Sequence, residues 1–170
     1  MVDKYIRRDA TTGEYVETPG TVSGGTVGQA GNIPALDNSG RIDPTLMPVG
    51  VVADTYSGTA FENIQNGAFV YIRSDGQVAN ATGVPGGIEA MAFALVGVST
   101  GQSVLVYFEG RNTSLGSLTP GKRYYLSDSV PGGLTGVPIV GADKIHQYLG
   151  RAVTSNTLSF EPGESIILAA

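Results

Sequence analysis

Short apolar runs separated by turn residues dominate the chain from Val49 onward. The runs are rich in β-branched and aromatic residues, which favour strands, and clusters of glycine, proline, serine and aspartate separate them. Proline and glycine at this density leave no room for a long helix. The pattern therefore predicts an all-β domain over residues 50–170, a small antiparallel β-sandwich or barrel. The runs are Val49–Ala53, Phe69–Ile72, Ala92–Val98, Val104–Phe108, Tyr124–Leu126, Tyr148–Leu149 and Ile166–Leu168.

The composition agrees with many turns and short strands. The 170 residues include 25 glycines and 9 prolines, and only 15% of the residues are charged. Soluble domains usually carry about a quarter of charged residues, so this surface relies on hydroxyl and amide groups. Only residues 59–66, where Ala60, Phe61 and Ile64 have helical spacing, favour a helical turn.

The second part of the domain resembles the first part in three places. The matches follow the same order along the chain with a nearly constant offset, which predicts two related β-units. Short matches of aromatic residues and glycine also arise by chance in β-rich chains, and this alternative stays open. The matches pair Gly67–Ile72 with Gly121–Leu126, Leu95–Gly97 with Tyr148–Gly150, and Phe108–Glu109 with Phe160–Glu161.

Residues 1–31 have the character of an arm. Two short aromatic-apolar pairs, Tyr5-Ile6 and Tyr15-Val16, stand in polar surroundings and precede a glycine-rich stretch at residues 19–25. We predict an extended N-terminal arm that becomes ordered on a partner, by adding a strand or filling a groove. The alternative is a disordered tail.

Residues 32–49 form a short linker that cannot bury its own apolar side chains. Prolines and an Asn38-Ser39-Gly40 turn interrupt the segment, which is too short for an independent fold. Its apolar residues therefore need the following domain or another copy of the chain. We predict a trimer contact at Ile33, Leu36, Ile42, Leu46 and Met47.

The charge balance and the residues that are absent exclude several classes of function. The net charge is −5, and no basic stripe that could neutralise phosphates is present, which argues against a nucleic-acid partner. The chain has no cysteine, so thiolate metal sites and cysteine nucleophiles are excluded. No apolar run is long enough to span a membrane, and the polar N-terminus does not resemble a signal peptide. We expect synthesis in a cytoplasm and no membrane partner.

The residues that could support catalysis are few. Strand alternation would place His146, the only histidine, on one face with Tyr148, and Ile145, Gln147 and Leu149 on the other. This histidine would then face solvent or a subunit contact, and it could bind a metal only on a trimer axis. No Gly-x-Ser-x-Gly motif occurs.

Most carboxylates that could act in a glycosidase stand beside turn residues: Glu62, Glu89, Glu109, Asp128, Glu161 and Glu164. We predict that the protein is not an enzyme, with no catalytic residues, no cofactor and no metal site.

Two parts of the chain resemble known virion proteins. The linker is similar to an "IPALDxxGxIxxxxLP" segment of tailed-phage fibre and virion proteins, here Ile33–Asp37 followed by Gly40, Ile42, Leu46 and Pro48. Later segments resemble a β-module of phage fibre and head-decoration proteins. They are Leu118–Ser127, Gly132–Thr135, Leu149–Val153 and Phe160–Pro162.

The resemblance implies a homotrimeric virion structural protein without catalysis. Because the arm is short, a capsid decoration (cement) protein or a short head fibre fits better than a long tail fibre. The arm would then bind the major capsid protein on the capsid exterior, with residues 50–170 as an exposed knob. The alternative is a tail-fibre or baseplate tip that binds a host-surface receptor, and a host-surface glycan is a further candidate partner. The expected capsid contacts are Tyr5, Ile6, Arg7, Arg8, Tyr15 and Val16.

Overall fold

The computed structural model describes residues 4–24, 32–38, 40–47 and 53–169. The chain divides into two compact units, Met1–Val52 and Ala53–Ala170. This division falls close to the predicted end of the linker. Residues 49–52 of the first predicted apolar run lie outside the described residues.

The N-terminal unit begins with a β-hairpin. Strand β1 (Lys4–Arg8) pairs antiparallel with β2 (Tyr15–Pro19). The two aromatic-apolar pairs of the predicted arm thus lie on neighbouring strands that bond to each other. The predicted arm was an extended segment that adds a strand to a partner or fills a groove, and this self-pairing was not part of the prediction.

The turn between these strands explains the self-pairing. The backbone N–H of Asp9 donates to the carbonyl of Glu14 (2.8 Å), and that of Gly13 donates to the carbonyl of Asp9 (2.9 Å). The Asp9 carboxylate also accepts the backbone N–H groups of Thr11 and Thr12, at 2.8 and 2.9 Å. These bonds, with that from Thr12 foremost, lower the pKa of Asp9 below its ordinary value.

The C-terminal unit is all-β, as predicted, and contains two five-stranded antiparallel sheets. Sheet 1 has the order β3-β7-β6-β4-β5, sheet 2 has the order β10-β9-β12-β13-β8, and β11 pairs with β14 separately. Neither sheet closes on itself, so the fold is sandwich-like and not a barrel. The strands are β3 (Thr55–Thr59), β4 (Phe69–Ile72), β5 (Val78–Asn80), β6 (Ala92–Ala94), β7 (Ser103–Tyr107), β8 (Gly110–Asn112), β9 (Arg123–Leu126), β10 (Leu134–Thr135), β11 (Ile145–His146), β12 (Tyr148–Ala152), β13 (Leu158–Phe160) and β14 (Ile166–Ile167).

The two sheets share one topology. When the five strands of each half of the domain are numbered in chain order, sheet 1 has the order 3-2-4-5-1 from its β5 edge. Sheet 2 repeats this order from the β10 edge, with β11 set aside. The halves of the domain are therefore related in the way that the repeated segments predicted.

The register agrees with two of the three sequence matches. Gly67–Ile72 and Gly121–Leu126 lie at equivalent places, and so do the ends of β7 and β13. The match of Leu95–Gly97 with Tyr148–Gly150 is wrong. Gly150 of sheet 2 occupies the place of Ala92 in sheet 1, since each pairs with the equivalent residue of the second strand. The offset changes because β11 and a bulge lie between these strands, with the bulge between Tyr148 and Gly150.

A cluster of aromatic and aliphatic side chains fills the space between the sheets. Phe160 lies 5.6 Å from Phe69 and 5.3 Å from Phe93, measured between ring centroids, with the second pair edge to face. Such pairs add roughly 0.5–1.5 kcal/mol to the burial of the rings. The same cluster includes Leu126, Leu149 and Leu158, all fully buried.

The other face of sheet 1 is covered by residues 60–66. Ala60 and Ile64 pack there against the strand residues Val70, Val104 and Val106. The segment is held by the reciprocal backbone hydrogen bonds of Ile64 with Val98, both 2.9 Å. The predicted helical turn at residues 59–66 does not form, because the apolar residues that gave it helical spacing include those that cover a sheet.

Buried amide side chains join the two halves. The Asn112 side chain donates to the carbonyl of Gly67 at 2.8 Å, and both groups are buried. Gln147 bonds both backbone groups of Ala90, at 2.8 and 2.9 Å. A buried amide without partners would cost about 1–3 kcal/mol, so these bonds fix how the halves meet.

Two equivalent glycines provide a test of this junction. Gly67 and Gly121 have φ of 74° and 81°, and their N–H groups donate to Ala94 and Ala152 at 2.8 Å. A Cβ on Gly67 would lie 2.6 Å from the carbonyl oxygen of Ser114, whereas one on Gly121 would meet nothing within 4 Å.

We expect Gly67→Ala to lower the free energy of unfolding by about 1–3 kcal/mol more than Gly121→Ala. Both variants carry the cost of a side chain at positive φ, about 1–2 kcal/mol, so the difference measures the crowding at the junction. Denaturant unfolding of both variants tests this. Equal losses would show that the junction tolerates the extra methyl group.

A half-buried ion pair between Lys144 and Asp128 also stabilises the C-terminal unit. The Lys144 ammonium lies 2.7 Å from the Asp128 carboxylate. The hydrogen bond from Lys144 is the largest cause of the lowered pKa of Asp128. Because the folded-state pKa is lowered, the pair stabilises the protein above the unfolded-state pKa of about 4, and this contribution is lost as the pH falls further.

We therefore expect Lys144→Gln to lower the unfolding midpoint at pH 7 and to differ less from the parent chain below about pH 4. Lys122→Gln removes the same charge from a lysine that has no carboxylate within 4.0 Å among the described residues, so it should show no such pH dependence. A constant difference between the parent chain and Lys144→Gln at all pH values would contradict this role for the pair.

Candidate functional site

The hairpin of the N-terminal unit has one fully exposed face. Ile6 stands opposite Glu17, and Arg8 stands opposite Tyr15, and residues that stand opposite each other share a face. Ile6 and Tyr15 are 70% and 78% exposed. We call this surface, with Lys4 at its end, the hairpin outer face. The sequence-predicted capsid contacts Ile6, Arg8 and Tyr15 lie together on it.

The remaining predicted arm contacts lie on the opposite face. Tyr5 and Val16 are half-buried there, and Arg7 is exposed. The Tyr5 hydroxyl donates to the side-chain oxygen of Asn32 (3.3 Å) and accepts the backbone N–H of Ile33 (3.2 Å). Tyr5 therefore ties the hairpin to the linker within the same unit.

Backbone and hydroxyl groups hold the linker against the arm. The Thr21 carbonyl accepts the N–H of Ala35 at 2.9 Å, and the Thr21 N–H donates to Ile33 at 3.0 Å. A 3-10 helix follows at Pro44–Leu46. Asp43 caps it by accepting the backbone N–H of Thr45 at 2.9 Å, and its bonds from Thr45 lower the pKa of the Asp43 carboxyl.

The apolar residues of the linker are not used in this internal packing. The predicted trimer contacts Ile33, Leu36, Ile42 and Met47 are exposed, and Leu46 is half-buried. Among the described residues of the N-terminal unit, the single buried residue is the polar Thr21. Hydrogen bonds join the segments in the described part of this unit, and Ile6, Tyr15 and four of the five predicted trimer contacts are exposed.

The C-terminal unit has a surface pocket of about 370 Å³ that is lined by Arg123, Tyr125, His146 and Tyr148. The Tyr125 ring lies 5.0 Å from the His146 ring and 6.1 Å from the Tyr148 ring, between centroids. The His146 Nδ1 atom is 3.3 Å from the carbonyl oxygen of Ile139. Alternation predicted that His146 and Tyr148 share a face away from the core, and this is confirmed.

Sequence reasoning missed Arg123 and Tyr125 as members of this pocket. The signal was present, because Arg123 and Tyr125 alternate with Tyr124 and Leu126, which are buried. What the sequence did not provide was the register that puts Tyr125 opposite Tyr148.

Two of the carboxylates considered for catalysis have structural partners. Glu62 accepts the backbone N–H of Asn80 at 2.9 Å, and Asp128 pairs with Lys144. Within residues 4–24, 32–38, 40–47 and 53–169, no three histidine or acidic side chains stand close enough together to hold a metal ion. None of the helices in this described part has the length and apolar character of a membrane span.

Comparisons with protein-family models, with curated proteins and with solved structures find no match to this chain. Its function has to be inferred from its own residues.

Proposed function

We propose that the chain is a bacteriophage virion structural protein, a homotrimeric capsid decoration protein or short head fibre. The N-terminal unit binds the major capsid protein on the outside of the capsid, and the linker residues meet around the trimer axis. The protein is made in the host cytoplasm, acts in the virion and carries no catalytic site. This proposal rests on the resemblance of the linker and β-module segments, together with the surface of the N-terminal unit.

The observation that supports this proposal best is that the N-terminal unit exposes large apolar side chains, whereas its single buried residue among those described is the polar Thr21. Fully burying one large apolar side chain contributes roughly 1.5–3 kcal/mol, and the unit leaves Ile6, Tyr15, Leu36 and other apolar residues in water. Burial against another chain would recover that free energy. Three copies that bind one capsid together would convert weak single contacts into tight attachment.

The pocket of the C-terminal unit favours a second candidate function, a tail-fibre or baseplate tip. A concave site with aromatic and cationic side chains is suited to a host-surface receptor. In that case the C-terminal unit would carry the binding to cells, and the N-terminal unit would attach to the tail.

The trimer can be tested at Leu36, which is 58% exposed. We expect light scattering of the full chain at micromolar concentration to give the mass of three 17.5 kDa chains. Leu36→Asp should give monomers, because it would place three carboxylates in one apolar contact. Val96→Asp is the control, since Val96 is 70% exposed in the other unit. A monomeric parent chain, or a trimeric Leu36→Asp variant, would rule out this contact.

The capsid contact can be tested on the hairpin outer face. We expect the double variant Ile6→Ser, Tyr15→Ser to bind capsids that lack this protein at least about tenfold more weakly, since about 1.4 kcal/mol corresponds to a factor of ten. Co-sedimentation with such capsids measures this.

The control for the capsid test is the double variant Val96→Ser, Val140→Ser, which removes exposed apolar side chains from the C-terminal unit. Equal binding by both double variants and the parent chain would refute the arm assignment. Binding to host cells that survives the hairpin changes and is lost with changes in the pocket would favour the tail-tip alternative.

A further inference from the structure

Three arginines form a row across the outer face of sheet 2. Arg123 on β9 stands opposite Arg151 on β12, Arg151 stands opposite Ser159 on β13, and Ser159 stands opposite Arg111 on β8. Residues that stand opposite each other in antiparallel strands lie on the same face, about 5 Å apart. We call Arg123, Arg151 and Arg111 the arginine row.

The arginine row faces away from the core. The strand neighbours Tyr124 and Ala152 belong to the cluster between the sheets, and Asn112 beside Arg111 is buried. Successive side chains of a strand alternate between faces. All three arginines are exposed. They make up three of the ten basic residues in a chain whose net charge is −5.

The guanidinium groups of the arginine row form no direct ion pair within the described part of the chain. Within the described ranges, no carboxylate oxygen lies within 4.0 Å of these guanidinium groups, whereas Lys4, Arg73 and Lys144 all have such partners. The nearby Glu161 carboxylate accepts a hydrogen bond from the Ser159 hydroxyl, with an oxygen–oxygen distance of 3.2 Å.

Like charges that stand directly opposite each other destabilise a sheet. A polar outer face could be built from serine and threonine without that cost. Solubility alone therefore does not explain why arginines occupy these positions.

The pocket continues the same surface. Tyr125 follows Arg123 on the same face of β9 and pairs with Tyr148 of β12, and the His146 ring packs against Tyr125. Arg151 is held in place by a bond of 2.8 Å from its guanidinium to the carbonyl of Gly121. Arg123 thus borders the two phenol rings and the imidazole of the pocket, and Arg151 beside it is held in position.

We propose that this face binds a carboxylate-bearing polysaccharide. The apolar side of a sugar ring packs on tyrosine, and phenol and imidazole groups bond sugar hydroxyls. Guanidinium groups bind carboxylates through two parallel hydrogen bonds. This inference goes beyond the capsid role and does not depend on it, since the hairpin outer face takes no part.

The charge of the whole chain favours a saccharide over a nucleic acid. Duplex DNA carries one negative charge per roughly 1.7 Å of its axis, which a chain of net charge −5 opposes. An acidic polysaccharide carries its carboxylates farther apart along the chain. It also offers the apolar ring faces and hydroxyl groups that suit the pocket.

Titration calorimetry of the full-length protein with sodium polygalacturonate tests the proposal. We expect binding that weakens with added salt, and weaker or no binding to the same polymer after methyl esterification, which removes the charge and keeps the sugar. The double variant Arg123→Gln, Arg151→Gln should bind about tenfold or more weakly. The matched control is Arg41→Gln, Arg73→Gln, which removes the same charge at places outside the arginine row and should bind like the parent chain.

Tyr148→Ala tests the pocket separately from the charge, and it should weaken binding even in high salt. Unfolding midpoints confirm that each variant is folded. The proposal fails if the parent chain does not bind polygalacturonate, if both arginine double variants lose affinity equally, or if Tyr148→Ala binds as the parent chain does. Equal affinity for single-stranded DNA would identify an unselective polyanion surface and would also overturn it.

Discussion

The contact of Phe160 with Phe69 and Phe93 is the interaction on which the C-terminal unit depends. Two of these rings come from sheet 1 and one comes from sheet 2. These three rings are buried where the two sheets meet, because each half of the domain makes only one sheet. The two sheets must therefore fold together, and the buried amides of Asn112 and Gln147 set the position in which they meet.

The two sheets pack through non-equivalent faces, and this explains why equivalent positions carry different residues in the two halves of the unit. By register, Phe69 and Phe93 of sheet 1 occupy the places that Arg123 and Arg151 occupy in sheet 2. The face that packs onto the next sheet in the first half is thus the free face in the second half. In a stack of related units the last outer face must be polar. This requirement accounts for the loss of the aromatic residues but not for arginines placed opposite one another.

Local patterns in the sequence were enough to predict the all-β class and the positions of six of the twelve strands of the C-terminal unit. Alternation also gave the faces of His146 and Tyr148, since period-2 patterning is a local property. The arginine row was not predictable, because the pairing of Arg123 with Arg151 is a contact between distant residues whose register is set by the bulge beside Gly150. The hairpin of the arm was not predicted for a related reason, because the turn at Asp9 pairs β1 with β2 across a segment that local patterns did not identify as a turn.

The two units solve opposite problems of stability. The C-terminal unit buries aromatic and aliphatic side chains and leaves arginines exposed. The described part of the N-terminal unit buries only Thr21 and relies on hydrogen bonds such as those of Tyr5 and Asp43. A hydrogen bond contributes only about 0.5–1.5 kcal/mol net, which is little against the entropy of ordering its residues. A unit built this way would gain stability from a partner that covers its apolar side chains, and this is the physical reason for proposing that it binds another chain.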